Sequence, residues 1–193
     1  MDNLPKPPEP KTVEERIRTP MTNGDLERHT GIKEADIILY SDLRNYSKIE
    51  ELLPEDKSAR VILMEETPNS GHWVCIMRYG KTIEWFNSYG NKWDADWGFV
   101  SRMMRMILGQ NNKDATRLMK QAEKDGWETV WNNKKLQKLS PAIQTCGRWC
   151  VLRIEMMKMG YTLPEFYALL KKLKVENPES GGAYDWIVSK YVM

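Results

Sequence analysis

An α+β domain is the fold class that the sequence predicts, with strands in the middle of the chain and helices on both sides. Residues 60–64 form a short apolar run of the kind found in buried strands. Residues 73–78 and 81–86 are apolar segments on either side of Tyr79 and Gly80, which is typical of a β-hairpin. Helical patterns precede and follow these strands, and this grouping indicates an α+β domain.

The segments before the strands predict two short helices and leave one stretch open. Residues 22–27 are expected to form a capped helix, and residues 48–53 a helical turn that ends before Pro54. Residues 36–40 are compatible with either a strand or a helix.

Helices predominate after the hairpin. Residues 99–108 are predicted to form a helix that ends at Gly109, because three apolar residues recur at helical spacing: Met103, Met106 and Ile107. Beyond it the pattern predicts a helix, a strand and two more helices, in this order: residues 115–124 with Asp114 as N-cap, residues 127–131, Thr145 or Cys146 to Met159, and residues 163–173.

The length of 193 residues suits one globular domain with a sizeable core. Residues 1–20 hold five of the ten prolines and few apolar groups, so we expect an extended arm there and a single domain over residues 21–193. The net charge is only +2, from 29 basic and 27 acidic residues. This balance gives no general argument for a nucleic-acid or membrane partner.

The cysteine content indicates free thiols in a reducing compartment. Three cysteines do not describe a disulfide framework, and Cys146 and Cys150 are poorly placed for an unstrained bridge. The chain has no long apolar run and no secretory signal at its amino terminus, so we expect an intracellular protein that does not enter a membrane.

Cys146 is the candidate nucleophile. It stands where a long helix is predicted to begin, and a helix amino terminus lowers the pKa of a thiol. Gly147 follows it and would let backbone approach the reacting carbon closely. A buried structural cysteine is the alternative, since this is the commonest fate of the residue.

His72 is the candidate general base, because the chain has only two histidines and His29 lies in a polar stretch without an accompanying pattern. Trp73 beside it could cover the imidazole and exclude water from the cleft. A base also needs a residue that orients its ring. Asn87, near the end of the next strand, suits this role, and its carboxylate rivals in the following loop are Asp94 and Asp96.

Two glutamines are candidates for an oxyanion hole, which needs an amide donor beside the nucleophile. Gln144 is only two residues before Cys146 and shares its turn, so it would have difficulty in reaching across the attacked carbonyl. Gln137 precedes Cys146 by nine residues, on the far side of a loop, and we favour it. The sequence predicts no metal site, since the two histidines are far apart and no Cys-x-x-Cys pair occurs.

Four motifs occur in the order of a known protease group: residues 71–74 (Gly-His-Trp-Val), 85–90 (Trp-Phe-Asn-Ser-Tyr-Gly), 131–137 (Trp-Asn-Asn-Lys-Lys-Leu-Gln) and 145–149 (Thr-Cys-Gly-Arg-Trp). In this order the chain resembles the superfamily of the adenovirus maturation protease and the SUMO-specific proteases. It is more similar still to the capsid-maturation cysteine proteases of virophages, Polinton-type elements and large DNA viruses, and residues 36–43 share this likeness. The resemblance covers roughly residues 22–160.

The resemblance implies a permuted papain-like (adenain-like) domain, in which a mixed central sheet flanked by helices carries His72 and Asn87 and packs against the helix that begins at Cys146. It implies an endopeptidase without a cofactor that processes viral capsid precursors after small-residue motifs such as Gly-Gly-X, in the virion and the infected-cell cytoplasm. Two departures stand out. Asn87 occupies a position where the broad superfamily prefers an acid, and the spacing from Gln137 to Cys146 exceeds that of the adenoviral enzymes.

Two other functions remain open at this stage. One is a deubiquitinase or deSUMOylase of the same superfamily, and the other is a non-catalytic module whose old cleft grips a capsid peptide. Adenoviral relatives use DNA and an activating peptide, but the near-neutral charge of this chain does not support extending either requirement to it.

Overall fold

The computed structural model describes residues 12–95, 100–110 and 113–193. As expected, it is an α+β fold, with one mixed five-stranded sheet in the strand order β1-β2-β3-β4-β5. The two outer strand pairs are parallel and the two inner pairs are antiparallel. The strands are β1 (Ile37–Leu39), β2 (Ala59–Thr67), β3 (Ser70–Tyr79), β4 (Thr82–Phe86) and β5 (Glu128–Trp131).

Helices cover both faces of this sheet. They are α1 (Val13–Arg18), α2 (Asn23–Thr30), α3 (Ile49–Leu52), α4 (Arg102–Ile107), α5 (Asp114–Lys124), α6 (Cys146–Lys158), α7 (Leu163–Glu176) and α8 (Tyr184–Tyr191). Short 3-10 helices span Glu34–Asp36, Tyr40–Asn45 and Pro178–Ser180.

The predicted hairpin is confirmed as β3 and β4, and the open stretch at residues 36–40 becomes the edge strand β1 between two 3-10 helices. Alternating burial alone could not decide this, because β1 is only three residues long. Two helices had no prediction: α8, and α1, which lies where an extended arm was expected. Thr12 and Glu15 form a capping box that starts α1.

The prediction for residues 99–108 needs correction at its ends. Residue 99 lies outside the described residues, and α4 begins at Arg102 after a Ser101 cap. The apolar residues at helical spacing do not face the core, since Met103, Met106 and Ile107 are 73%, 59% and 70% exposed. Asp114 is the first residue of α5 and does not cap it; Lys113 occupies the N-cap without a side-chain hydrogen bond.

Two apolar clusters lie on opposite faces of the sheet, because successive side chains of a strand alternate between faces. Trp73, Cys75 and Met77 of β3 pack with α6 and α7 on one face. Val74 and Ile76 pack with α3 and α5 on the other. The first cluster holds α6 against the central strand, and this contact brings the start of α6 to the beginning of β3.

Candidate active site

His72 and Asn87 form the centre of the site at neighbouring strand ends. Both are 3% exposed, and Nε2 of His72 lies 2.9 Å from Oδ1 of Asn87. The backbone N–H of Tyr89 donates to the same Oδ1 at 2.9 Å, which identifies that atom as the amide oxygen. Because an amide oxygen only accepts, Nε2 of His72 carries the proton, and Nδ1 of the neutral ring is the basic nitrogen.

Burial keeps this imidazole neutral. The pKa of His72 is lowered from 6.5 to about 4 by burial, although the hydrogen bond with Asn87 acts in the opposite direction. The ring of Tyr89 stacks on the imidazole, with 4.3 Å between ring centroids and 14° between planes. Tyr89 and Asn87 therefore hold both the plane and the tautomer of the base.

Cys146 is the first residue of α6, a helix of 13 residues whose N-cap side chain does not cap it. The hydroxyl of Thr145 donates instead to Oδ1 of Asp185 at 2.6 Å. The backbone N–H groups of Trp73, Gly147 and Cys146 itself act to lower the pKa of this thiol. The helix amino terminus is thus available for negative charge on sulfur.

The resting thiol is neutral despite these donors. Burial raises the pKa of Cys146, the three backbone N–H groups lower it, and the charge of Glu66 raises it further. A neutral thiol beside a neutral imidazole needs proton transfer at the moment of attack. A thiol and an imidazole that line one cleft in this way can act as a latent nucleophile and its general base.

Gln137 is held beside this pair by the strand-end turn that carries Asn87. Its Oε1 accepts a hydrogen bond of 2.7 Å from the hydroxyl of Ser88, and its own N–H donates to the carbonyl of Ser88. Its Nε2 donates to the carbonyl of Ile143 at 3.1 Å and to the hydroxyl of Tyr89 at 3.4 Å. The oxygen of the Gln137 side chain is therefore anchored by Ser88, and its NH2 group is the donor that lies along the wall of the cleft.

A cleft of about 420 Å³ brings the predicted polar residues together. His72, Gln137, Gln144 and Cys146 all line it. The side chain of Gln144 donates to the carbonyl of Pro141 at 2.9 Å and its backbone N–H to the carbonyl of Ile17. Both glutamines are thus near the nucleophile, and Gln137 has the firmer anchor.

Trp73 and Gly147 do not line this cleft. Trp73 projects to the opposite face of the sheet from His72, where its Nε1 donates to the carbonyl of Met21, so the expectation that it covers the imidazole was wrong. A Cβ on Gly147 would lie 2.9 Å from Cβ of Met21 and 3.3 Å from Cδ1 of Trp73. This glycine lets the segment before α2 pack behind the nucleophile, and does not open space for a ligand.

Sequence reasoning missed three residues that support the site. Ser88 and Tyr89 belong to the motif that includes Asn87, but only the folded turn shows what they contact. Asp185 of α8 accepts from Thr145, from Nε1 of Trp149 and from the backbone N–H of Lys138. It ties the start of α6 to the residue after Gln137, and no local pattern signals a contact between segments so far apart.

Asp94 and Asp96, the two carboxylate alternatives to Asn87, differ in what the structure shows of them. Asp94 is exposed, and Asp96 lies outside the described residues.

Within the part of the chain that the structure describes, no group of three or more histidine, cysteine or acidic side chains is arranged to hold a metal ion. No helix there is both long and apolar enough to cross a bilayer.

The chain is similar to a viral protein, the "Uncharacterized protein V9" of Sputnik virophage. The two are 37% identical over 121 residues, which is 62% of this chain and 67% of the virophage protein. No family model matches the chain, and no solved structure matches it. The chain is therefore a homologue of Sputnik virophage protein V9 and belongs to the same family.

Proposed function

We propose that the protein is a cysteine endopeptidase that processes virion precursor proteins, and that its fold is the permuted papain-like arrangement of the adenovirus maturation protease superfamily. The observation that carries the proposal is the His72–Asn87 hydrogen bond, which leaves Nδ1 as the base in a cleft that Cys146 also lines. The homology to a virophage protein supports the viral setting.

In this proposal Nδ1 of His72 takes the thiol proton as Sγ of Cys146 attacks the scissile carbonyl. The backbone N–H at the start of α6 and Nε2 of Gln137 donate to the oxyanion that forms. To reach the oxyanion, Nε2 of Gln137 gives up its 3.4 Å hydrogen bond to the hydroxyl of Tyr89, which is the longer of the two bonds that this nitrogen donates. His72 then returns the proton to the leaving amine, and water releases the acyl group from the sulfur.

A capsid precursor is the substrate to test, with isopeptidase activity as the competing outcome. We expect capsid and minor virion proteins of a virophage to acquire new termini with the wild-type protein and none with Cys146→Ala or His72→Ala. Ubiquitin and SUMO carrying carboxyl-terminal electrophiles serve as parallel probes. Modification of Cys146 by these probes, without cleavage of any virion protein, would contradict this proposal and identify the protein as a deubiquitinase or deSUMOylase.

The reactivity of the Cys146 thiol distinguishes a peptidase from a non-catalytic peptide-binding module. Cys75 and Cys150 are fully buried, whereas Cys146 is 6% exposed at the cleft. We expect iodoacetamide to label Cys146 fastest of the three and His72→Ala to slow that labelling. Labelling of Cys146 no faster than the other two would favour the binding module.

A further inference from the structure

The described residues that line the cleft beside Cys146 carry one formal charge at neutral pH, and that charge is negative. At neutral pH the thiol and the imidazole are both neutral, and no lysine or arginine lines the cleft in the described part of the chain. Glu66 is the acidic residue that lines it. In a protein with a net charge of +2, this single carboxylate gives the cleft the opposite sign to the whole molecule.

A β-bulge places Glu66 at the rim. Glu65 pairs with Gly71 and Thr67 with Ser70, so the register shifts across Glu66 and leaves it without a cross-strand partner. Bulges of this kind re-aim a side chain out of the alternating pattern of the strand. The bulge here turns an exposed residue at the end of β2 toward the cleft.

The turn around Glu66 is held rigidly by its neighbours. The backbone of Glu65 exchanges two hydrogen bonds of 2.9 Å with the side chain of Gln110, and its carboxylate accepts from the N–H of Asn69 at 2.8 Å. At Gly71 a Cβ would lie 2.1 Å from the carbonyl of Met64, so only glycine fits there. These contacts therefore fix the backbone position of Glu66 at the rim of the cleft.

The carboxylate of Glu66 acts on Cys146 and Tyr89, and no lysine or arginine among the described residues pairs with it. Its charge helps to raise the pKa of Cys146, and it helps to raise that of Tyr89 to about 12. No hydrogen bond or ion pair occupies it among the described residues. A negative charge that disfavours the thiolate is compensated when a bound cation lies beside it.

We propose, on the basis of the peptidase function above, that Glu66 selects substrates with a lysine or arginine within two positions of the scissile bond. A basic side chain would pair with the carboxylate at the rim while the backbone of the peptide crosses Cys146. The same contact would relieve the unfavourable effect of Glu66 on the nucleophile, so that binding of the cation and activation of the thiol favour each other.

A peptide library read by mass spectrometry tests the proposal, with wild type, Glu66→Lys and the matched control Glu55→Lys. Glu55 is exposed near the opposite end of β2. We expect lysine and arginine to be enriched near the bonds cleaved by wild type and Glu55→Lys, and aspartate and glutamate near those cleaved by Glu66→Lys. In a matched peptide pair, replacing the lysine by glutamate should lower kcat/KM about fivefold for wild type, and less at high salt.

The outcomes separate this inference from the proposed function. Cleavage by wild type without basic enrichment, or the same preference in Glu66→Lys, would overturn the role of Glu66 and leave the peptidase intact. Absence of any cleavage by folded wild type would overturn both. The ratio between paired peptides is the decisive quantity, because removal of the carboxylate also changes the reactivity of Cys146 itself.

Discussion

The amide of Asn87 determines which nitrogen of His72 is free to accept a proton. Its oxygen accepts from both Nε2 of His72 and the N–H of Tyr89, so its orientation follows from the backbone. An amide fixes the tautomer without adding charge, and burial then keeps the pKa of the imidazole near 4. The base is therefore unprotonated over the whole neutral and mildly acidic range.

We predict that Asn87→Asp moves the acid limb of the pH–rate profile upward. In the wild type, kcat/KM should fall only as the pH approaches about 4, where His72 becomes protonated. A carboxylate at position 87 favours the imidazolium and raises the pKa of His72, so the loss should begin at higher pH. Circular dichroism at each pH separates this shift from unfolding, and an unmoved limb in the folded variant would contradict the role of Asn87.

Most of the residues of the candidate site could be picked out from the sequence. Cys146, His72 and Gln137 belong to residue types that are rare in this chain, Asn87 is marked only by its motif, and all four meet in one region of the fold. Ser88, Tyr89 and Asp185 could not be assigned, because their roles depend on contacts made after the chain has folded back on itself.

At the scale of elements, several other segments position the amino terminus of α6. Thr145 leaves it uncapped by donating to Asp185 of α8. Behind it, the segment between α1 and α2 contributes the carbonyl groups of Thr19 and Met21, which accept from Arg148 and Trp73. The candidate nucleophile at the start of α6 is thus held from both sides, by Asp185 of α8 and by the segment between α1 and α2.

We predict that Gly147→Ala destabilises the protein and slows alkylation of Cys146. The added Cβ would lie 2.9 Å from Cβ of Met21, so the segment behind α6 must shift, at a cost of about 1–3 kcal/mol. Urea denaturation and iodoacetamide labelling measure the two effects.

Gly24→Ala is the matched control, because a Cβ there meets nothing closer than 3.9 Å and the residue lies in α2. It should leave stability unchanged or raise it by up to about 1 kcal/mol. Equal effects of the two substitutions would show that the packing against Met21 is unimportant.

Element positions could be predicted well where the sequence is strongly patterned. The hairpin of β3 and β4 and the helices α2, α6 and α7 follow from turn residues, caps and apolar spacing. The strand predicted at residues 127–131 is confirmed as β5, whereas β1 stayed open between strand and helix, because it is three residues long and pairs in parallel with a distant partner. The short helices α1 and α8 were missed, although α1 begins with a Thr-x-x-Glu capping box at residues 12–15 that is already visible in the sequence.

For the whole molecule, a buried ion pair joins the sheet to α6, the helix that begins at Cys146. Arg153 of α6 and Glu84 of β4 are both fully buried and make two hydrogen bonds of 2.8 and 2.7 Å. The hydroxyl of Tyr79 also donates to Glu84. Removal of one partner leaves an uncompensated charge in the core.

We predict that Glu84→Gln lowers the free energy of unfolding by about 3–5 kcal/mol, because Arg153 then stays charged and buried without its counter-ion. Replacing both residues, as in Glu84→Leu with Arg153→Met, should recover part of the loss. Denaturation by urea compares the variants. A loss below about 1 kcal/mol for Glu84→Gln would mean that the pair contributes little to holding α6 on the sheet.

The central claim is that Cys146 is the nucleophile of a peptidase, and peptide-bond cleavage in a complex peptide library tests it most directly. Cys150 lies one turn later and is 1% exposed, so Cys150→Ala is the matched control. We expect mass spectrometry to find new peptide termini with wild type and Cys150→Ala, and none with Cys146→Ala. Equal cleavage by Cys146→Ala, or no cleavage by folded wild type, would contradict the assignment.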